Sequence, residues 1–107
     1  MSSFTDYRHH VDTRPDRFFK TTLFQSPRML VGMDCLEPGQ IQPLHRHAGR
    51  DKFYFVIEGE GDFMIGQESG HAGPGMVVWA PADETHSVTN TGSQRLVMLI
   101  GMAPEPG

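Results

Sequence analysis

The chain has 107 residues, 37% of them hydrophobic, and a formal net charge of -4. That length supports one core of modest size, and a mildly acidic balance without runs of like charge argues against a phosphate-tracking nucleic-acid binder. The first twenty residues carry Asp6, Arg8, Asp12, Arg14, Asp16, Arg17 and Lys20 in place of an apolar leader, and no segment approaches the roughly 20 apolar residues of a membrane span. The expectation is therefore a cytoplasmic protein without membrane or nucleic-acid partners.

Glycine and proline recur at short intervals from Pro27 to Gly92 and cut the chain into pieces too short for long helices. The pieces are rich in Phe, Val, Ile and Met, and such runs between regularly spaced turn residues indicate an all-β sandwich or barrel. Residues 1–17 are polar and read as an arm or an edge strand. Phe18 to Phe24 and Arg28 to Leu36 read as strands about a turn at Ser26-Pro27. After the Glu37-Pro38-Gly39-Gln40 turn, residues 41–47 are extended, because Pro43 disfavours helix before it.

A loop over Ala48 to Asp51 leads to Lys52–Ile57, an aromatic and β-branched strand. Asp62–Ile65 follows the turn at Gly59 and Gly61, and Gly66 to Gly70 reads as a hairpin loop. Gly73-Pro74-Gly75 turns into Met76–Trp79. Beyond the Pro81–Glu84 loop, Thr85–Asn90 and Arg95–Gly101 are the last strands, with a loose tail after them. Cys35 is alone, so no intramolecular disulfide forms, and it reads as a buried strand cysteine. Met29, Met33, Met64, Met76 and Met98 read as core filler.

Of the six histidines, His45 and His47 carry the most information. Residues two apart on a strand share a face, and two imidazoles so placed reach one metal ion. His86, at the head of a strand just after the Pro81 turn, is the best third ligand. His9 and His10 are adjacent and diverge on a strand, and His71 has no partner at ligand spacing; all three read as surface residues.

The residues from 39 to 90 resemble the two sequence motifs of the cupin superfamily. The first runs over 39–59 and is met by Gly39, His45, His47 and Gly59; the second runs over 75–90 and is met by Gly75, Pro81, His86 and Asn90. Asp83 stands where the second motif has Gly, and Asp visits left-handed backbone more readily than most residues. Lys52 stands where the first motif has its metal-binding Glu, and a protonated ammonium does not bind metal. Asp51, one residue earlier, is an alternative fourth ligand if the strand bulges.

The resemblance implies one domain over 1–107 with a double-stranded β-helix (jelly-roll) fold. It also implies one divalent metal ion (Zn, Fe, Mn or Ni) on His45, His47 and His86, with positions open to water or substrate. Lys52 and Tyr54 are then the candidate catalytic residues. If Lys52 follows the parity of Tyr54 and Val56 it points inward beside the metal, ready for an anionic substrate; otherwise it turns to solvent. Phe53 and Phe55 then face away from the histidines and offer apolar surface to a homodimer. Family members include dioxygenases, isomerases and decarboxylases, so the expectation is a small metalloenzyme of unspecified reaction acting on a small molecule. A non-catalytic ligand-binding or sensing module, metal-free or not, and a storage protein are the alternatives.

Overall fold

A computed structural model describes residues 2–105 of the chain. Among the described residues, strands β1 (Phe19–Ser26), β2 (Met29–Leu36), β3 (Ile41–His45), β4 (Asp51–Glu58), β5 (Gly61–Ile65), β6 (Glu68–Ala72), β7 (Val77–Ala80), β8 (His86–Thr89) and β9 (Leu96–Ala103) account for the regular structure, apart from a 3-10 turn at Tyr7–His9. They form two antiparallel sheets, one in the order β1-β2-β9-β4-β7 and the other in the order β3-β8-β5-β6. The fold is a double-stranded β-helix of the jelly-roll type, as the motif resemblance implies.

The alternation of side chains across each strand sorts the apolar residues onto two cores. Leu36, Tyr54, Val56, Phe63, Val88, Leu96, Met98 and Ile100 pack between the sheets. Met33, Cys35 and Val97 point out of the larger sheet and are covered by Tyr7 and Val11 of the polar arm. Strands β2 and β9 are thus buried on both faces, which is why both read as near-continuous apolar runs. Phe53 and Phe55 lie on the opposite face of β4 from Tyr54 and Val56, as strand parity requires, and are half-buried.

Three expectations are corrected. Residues 68–72 form a strand, where the glycines at 66 and 70 point to a loop; β6 is a polar edge strand with four exposed residues of five, so it lacks the hydrophobic alternation that marks half-buried strands. The extended segment at 41–47 is a strand only to His45. Of the five methionines read as core filler, Met33 and Met98 are buried, but Met29, Met64 and Met76 are exposed: Met64 lies on the outward face of β5, Met29 opens β2 and Met76 immediately precedes β7.

The ends of the two motifs are tied to one another. Asn90 is buried; its side-chain amide donates to the carbonyls of Leu36 and Gln94 and its Oδ1 accepts from Gly92 N–H. Its backbone exchanges bonds with Gly39 and Gln40. Gly59 adopts φ +77, and a Cβ there would meet the Arg95 carbonyl oxygen at 2.3 Å, so glycine is required on both counts. Asn90→Ala removes three side-chain hydrogen bonds and leaves the Leu36 carbonyl without its amide donor. At about 1 kcal/mol each, the expected loss is about 2–4 kcal/mol, read as a lower urea midpoint with an unchanged m-value.

Candidate functional site

Strand β3 is irregular between Gln42 and His45 as it pairs with β8. The irregularity resets the parity of the strand. Gln42 points into the interior, Leu44 turns out and is 63% exposed, and His45 pairs across the ladder with His86. His47, just past the strand end, completes the group. One ring nitrogen from each of His45, His47 and His86 lies within 4.8 Å of the others, and the ring centroids are 4.1–5.4 Å apart.

The backbone fixes which nitrogen of two rings is free. His45 Nδ1 lies 2.7 Å from the Pro43 carbonyl and His86 Nδ1 lies 3.3 Å from the Glu84 carbonyl. A carbonyl only accepts, so Nδ1 carries the proton and Nε2 keeps its lone pair. The Nε2 atoms of His47 and His86 are buried with no hydrogen-bond partner among the described residues. Burial, and then the neighbouring His45, lowers both imidazoles from the ordinary 6.5 to about 4, so both are neutral at neutral pH. Neutral, orphaned imidazole nitrogens converging on one point are a donor set that fits a divalent metal ion.

The loop carrying His47 is laced to the turn that delivers His86. The His47 carbonyl accepts from Asp83 N–H, Asp83 Oδ1 accepts from Gly49 N–H, and Asp51 Oδ1 accepts from Ala82 N–H at 2.9 Å. Asp83 has φ 69, the left-handed geometry that the motif glycine implies. Asp51 therefore faces the turn backbone, and among the described residues no carboxylate joins the histidine cluster.

Lys52 points inward and is only 3% exposed. Its Nζ lies 3.6 Å from Asp34 Oδ2 and 4.5 Å from the centroid of the Tyr54 ring. Burial pushes the ammonium down from its ordinary range, and Asp34 opposes that shift. Tyr54 is fully buried, which pushes its hydroxyl up and keeps it protonated. That hydroxyl donates to Gln42 Oε1 at 2.6 Å, and Gln42 Nε2 donates to Asp34 Oδ2 at 3.0 Å. A polar chain Tyr54–Gln42–Asp34–Lys52 thus crosses the interior between the sheets.

Asp34, Gln42, His45, His47 and Lys52 line a cavity of about 720 Å³, whose other walls include Phe18, Leu30, Ile100 and Met102. Tyr54 does not line it. Of the remaining histidines, His71 is exposed between Asp62 and Glu60, and His10 meets Thr5 at the surface. Asp34 and Gln42 escaped the sequence reading. A carboxylate in the middle of the apolar run Met29–Leu36 is a usable signal for Asp34; Gln42 has none, because its inward direction depends on the irregularity in β3.

Fold and site together define a small two-sheet barrel with a histidine cluster at one end of its interior. The family model described as the cupin domain matches residues 32–101, and the chain belongs to that family. It is 31% identical over 80 residues to the oxalate-binding protein of Thermotoga maritima, an alignment covering 75% of this chain and 65% of that protein, so the chain spans just under two thirds of that relative's length. It is also similar to a protein of Thermus thermophilus known from its crystal structure, with 36% identity, a TM-score of 0.93 and coverage of 98% of this chain and 100% of that one. A Klebsiella pneumoniae protein with a double-stranded β-helix domain matches at a TM-score of 0.93 with 20% identity, covering 100% of this chain and 95% of that one, a likeness of fold alone.

Two outcomes follow for the metal-free protein. His47 and His86 titrate near 4 when folded and near 6.5 when unfolded. Between those values the unfolded chain binds more protons at these two positions, so their contribution to stability falls as the pH drops from about 6.5 to about 4, whereas His71, raised by Asp62, contributes in the opposite sense as the pH rises through its folded value; urea midpoints of wild type and His71→Gln across pH 4–8 check this. Lys52→Met strands the Asp34 carboxylate in the interior, with an expected loss of about 3–5 kcal/mol, whereas Asp34→Asn combined with Lys52→Met recovers most of it.

Proposed function

We propose that this cupin holds one divalent metal on His45, His47 and His86 and takes up a small organic acid in the adjoining cavity. The observation that carries this reading is the pair of buried Nε2 atoms, those of His47 and His86, that have no partner among the described residues in the three-histidine cluster. The chemistry of the donor set suits zinc, iron, manganese or nickel. A bound metal supplies Lewis acidity. The chain supplies orientation: the Asp83 and Asp51 contacts hold the His47 loop against the His86 turn. Lys52 and Lys20 supply positive charge to the cavity, and its apolar wall offers a packing surface to the ligand's body. The Thermotoga maritima relative is an oxalate-binding protein, which supports an acid as the ligand.

In this reading the protein is a small metalloenzyme. One observation favours the alternative of a non-catalytic binding module. Of the two candidate catalytic side chains, Tyr54 commits its hydroxyl to Gln42 and Lys52 is paired with Asp34. These contacts suit positioning better than proton transfer. Consumption of a bound acid by the metal-loaded protein separates the two readings.

A homodimer belongs to the same proposal. It is supported by the edge strand β7, whose Val77 and Trp79 are 63% and 54% exposed. Light scattering at tens of micromolar is expected to give twice the chain mass. Among the described residues no helix is long and apolar enough to cross a membrane, and the unpaired Cys35 suits the reducing cytoplasm.

Protein purified without chelators or a nickel column is expected to carry close to one metal ion per chain. His86→Ala is expected to weaken metal binding by about a hundredfold or more, since a ligand matters at least as much as the groups that orient one. Wild-type metal content in a His45→Ala, His86→Ala double variant would overturn the proposal.

A further inference from the structure

The polar chain across the interior is complete except at one atom. Asp34 Oδ2 accepts from Gln42 and faces Lys52, but Asp34 Oδ1 has no partner among the described residues, although Asp34 is 1% exposed. A buried carboxylate oxygen left unpaired is costly, and the cost is relieved by a donor that enters from outside. Asp34 forms part of the cavity wall, as does Lys52. The wall therefore holds a carboxylate and an ammonium side by side, next to the histidine cluster, and Oδ1, itself out of contact with solvent, is met only by a donor that seats deep in the cavity.

We infer that Asp34 is a specificity residue that accepts a hydroxyl of the ligand, and that the ligand is a hydroxycarboxylic acid with an apolar body. This inference rests on the reading of the cavity as an organic-acid site and narrows it. The carboxylate lies toward Lys52 and the histidines, the hydroxyl donates to Asp34 Oδ1, and the body packs against Phe18, Leu30, Ile100 and Met102. An amino acid fits less well, because its ammonium would compete with Lys52 Nζ, already 3.6 Å from the same carboxylate. A plain carboxylic acid leaves Oδ1 unpaired, and a site built to bond a hydroxyl rejects the analogue that lacks it.

The test compares mandelate with phenylacetate, which differ only in the hydroxyl, by calorimetric titration into zinc-loaded wild type and into zinc-loaded Asp34→Val. A metal itself favours a hydroxy acid, but that preference is common to both proteins and cancels in the ratio of ratios. The expected result is a preference for mandelate at least tenfold larger in wild type than in Asp34→Val, the size of a hydrogen bond to a charged group, with phenylglycine binding worse than mandelate. Equal preferences in the two proteins would overturn the inference, and so would failure of both acids to bind at millimolar concentration. If Asp34→Val does not fold, a crystal structure of the wild-type complex decides: a mandelate hydroxyl about 3 Å from Asp34 Oδ1 supports the inference, and any other placement overturns it. Metal content is measured separately. A protein that binds no metal but places the mandelate hydroxyl on Asp34 refutes the three-histidine reading alone, and one that binds metal without discriminating at Asp34 refutes the present inference alone.

Discussion

Gln42 and His45 lie three residues apart on β3 and yet both face the interior. A regular strand cannot do this, because its side chains alternate with a period of two. The shift in pairing between β3 and β8 makes it possible, at the cost of turning Leu44 out to solvent at 63% exposure. The histidine cluster and the Gln42 link of the interior polar chain depend on that shift. With regular alternation from Gln42, the imidazole of His45 would point away from His86, and the histidine cluster would lose a member. With alternation preserved from His45 instead, Gln42 would leave the interior, and Tyr54 and Asp34 would lose the amide that joins them.

The interior chain shows how a buried charge is tolerated in so small a barrel. Isolated, either Lys52 or Asp34 would be too costly to bury. Paired at 3.6 Å, they also draw on an ordered amide: the Asp34 carboxylate only accepts, so Gln42 turns Nε2 toward it, and the Gln42 Oε1 left on the other side accepts from the Tyr54 hydroxyl, which burial keeps protonated. The direction of each hydrogen bond is set by its neighbour, so the set is ordered without any freedom of amide flip. The same logic fixes His45 and His86, whose Nδ1 atoms face backbone carbonyls. Rigid interior polarity and an oriented cluster of lone pairs are two results of one arrangement.

Much of this was legible in the sequence, and the limits have physical causes. Turn residues at short spacing and runs of Phe, Val and Ile announce the β-barrel, since they report backbone geometry and burial directly. The three histidines are legible through motif spacing, and the inward direction of Lys52 through parity with Tyr54 and Val56. Parity is reliable there because β4 is regular from Asp51 to Val56. It fails for Gln42 because β3 is not regular, and a shifted register leaves no mark on composition. β6 is missed because an exposed edge strand has no apolar face to reveal it. The partnership of Asp34 with Lys52 joins residues 18 apart on strands that are not neighbours in the sheet, a relation that pattern within a strand does not contain.

The exchange of glutamate for lysine at position 52 bears on what the cavity accepts. In the motif pattern, the glutamate brings a negative charge to the metal. Here the cluster is made of imidazoles alone, which bring none, and the carboxylate of Asp34 is paired with the ammonium of Lys52. Replacing a carboxylate by an ammonium moves the local charge by two units, and Asp34 returns one of them. On the reading proposed above, a divalent ion would then carry its charge without a counter-charge from the protein, in an enclosure whose apolar walls strengthen electrostatic interactions. An anionic ligand supplies the missing negative charge, so affinity for an acid and affinity for the metal reinforce each other. On that reading the lysine changes the order of dependence: where a glutamate completes the site from within the chain, here the site would be completed by what enters it.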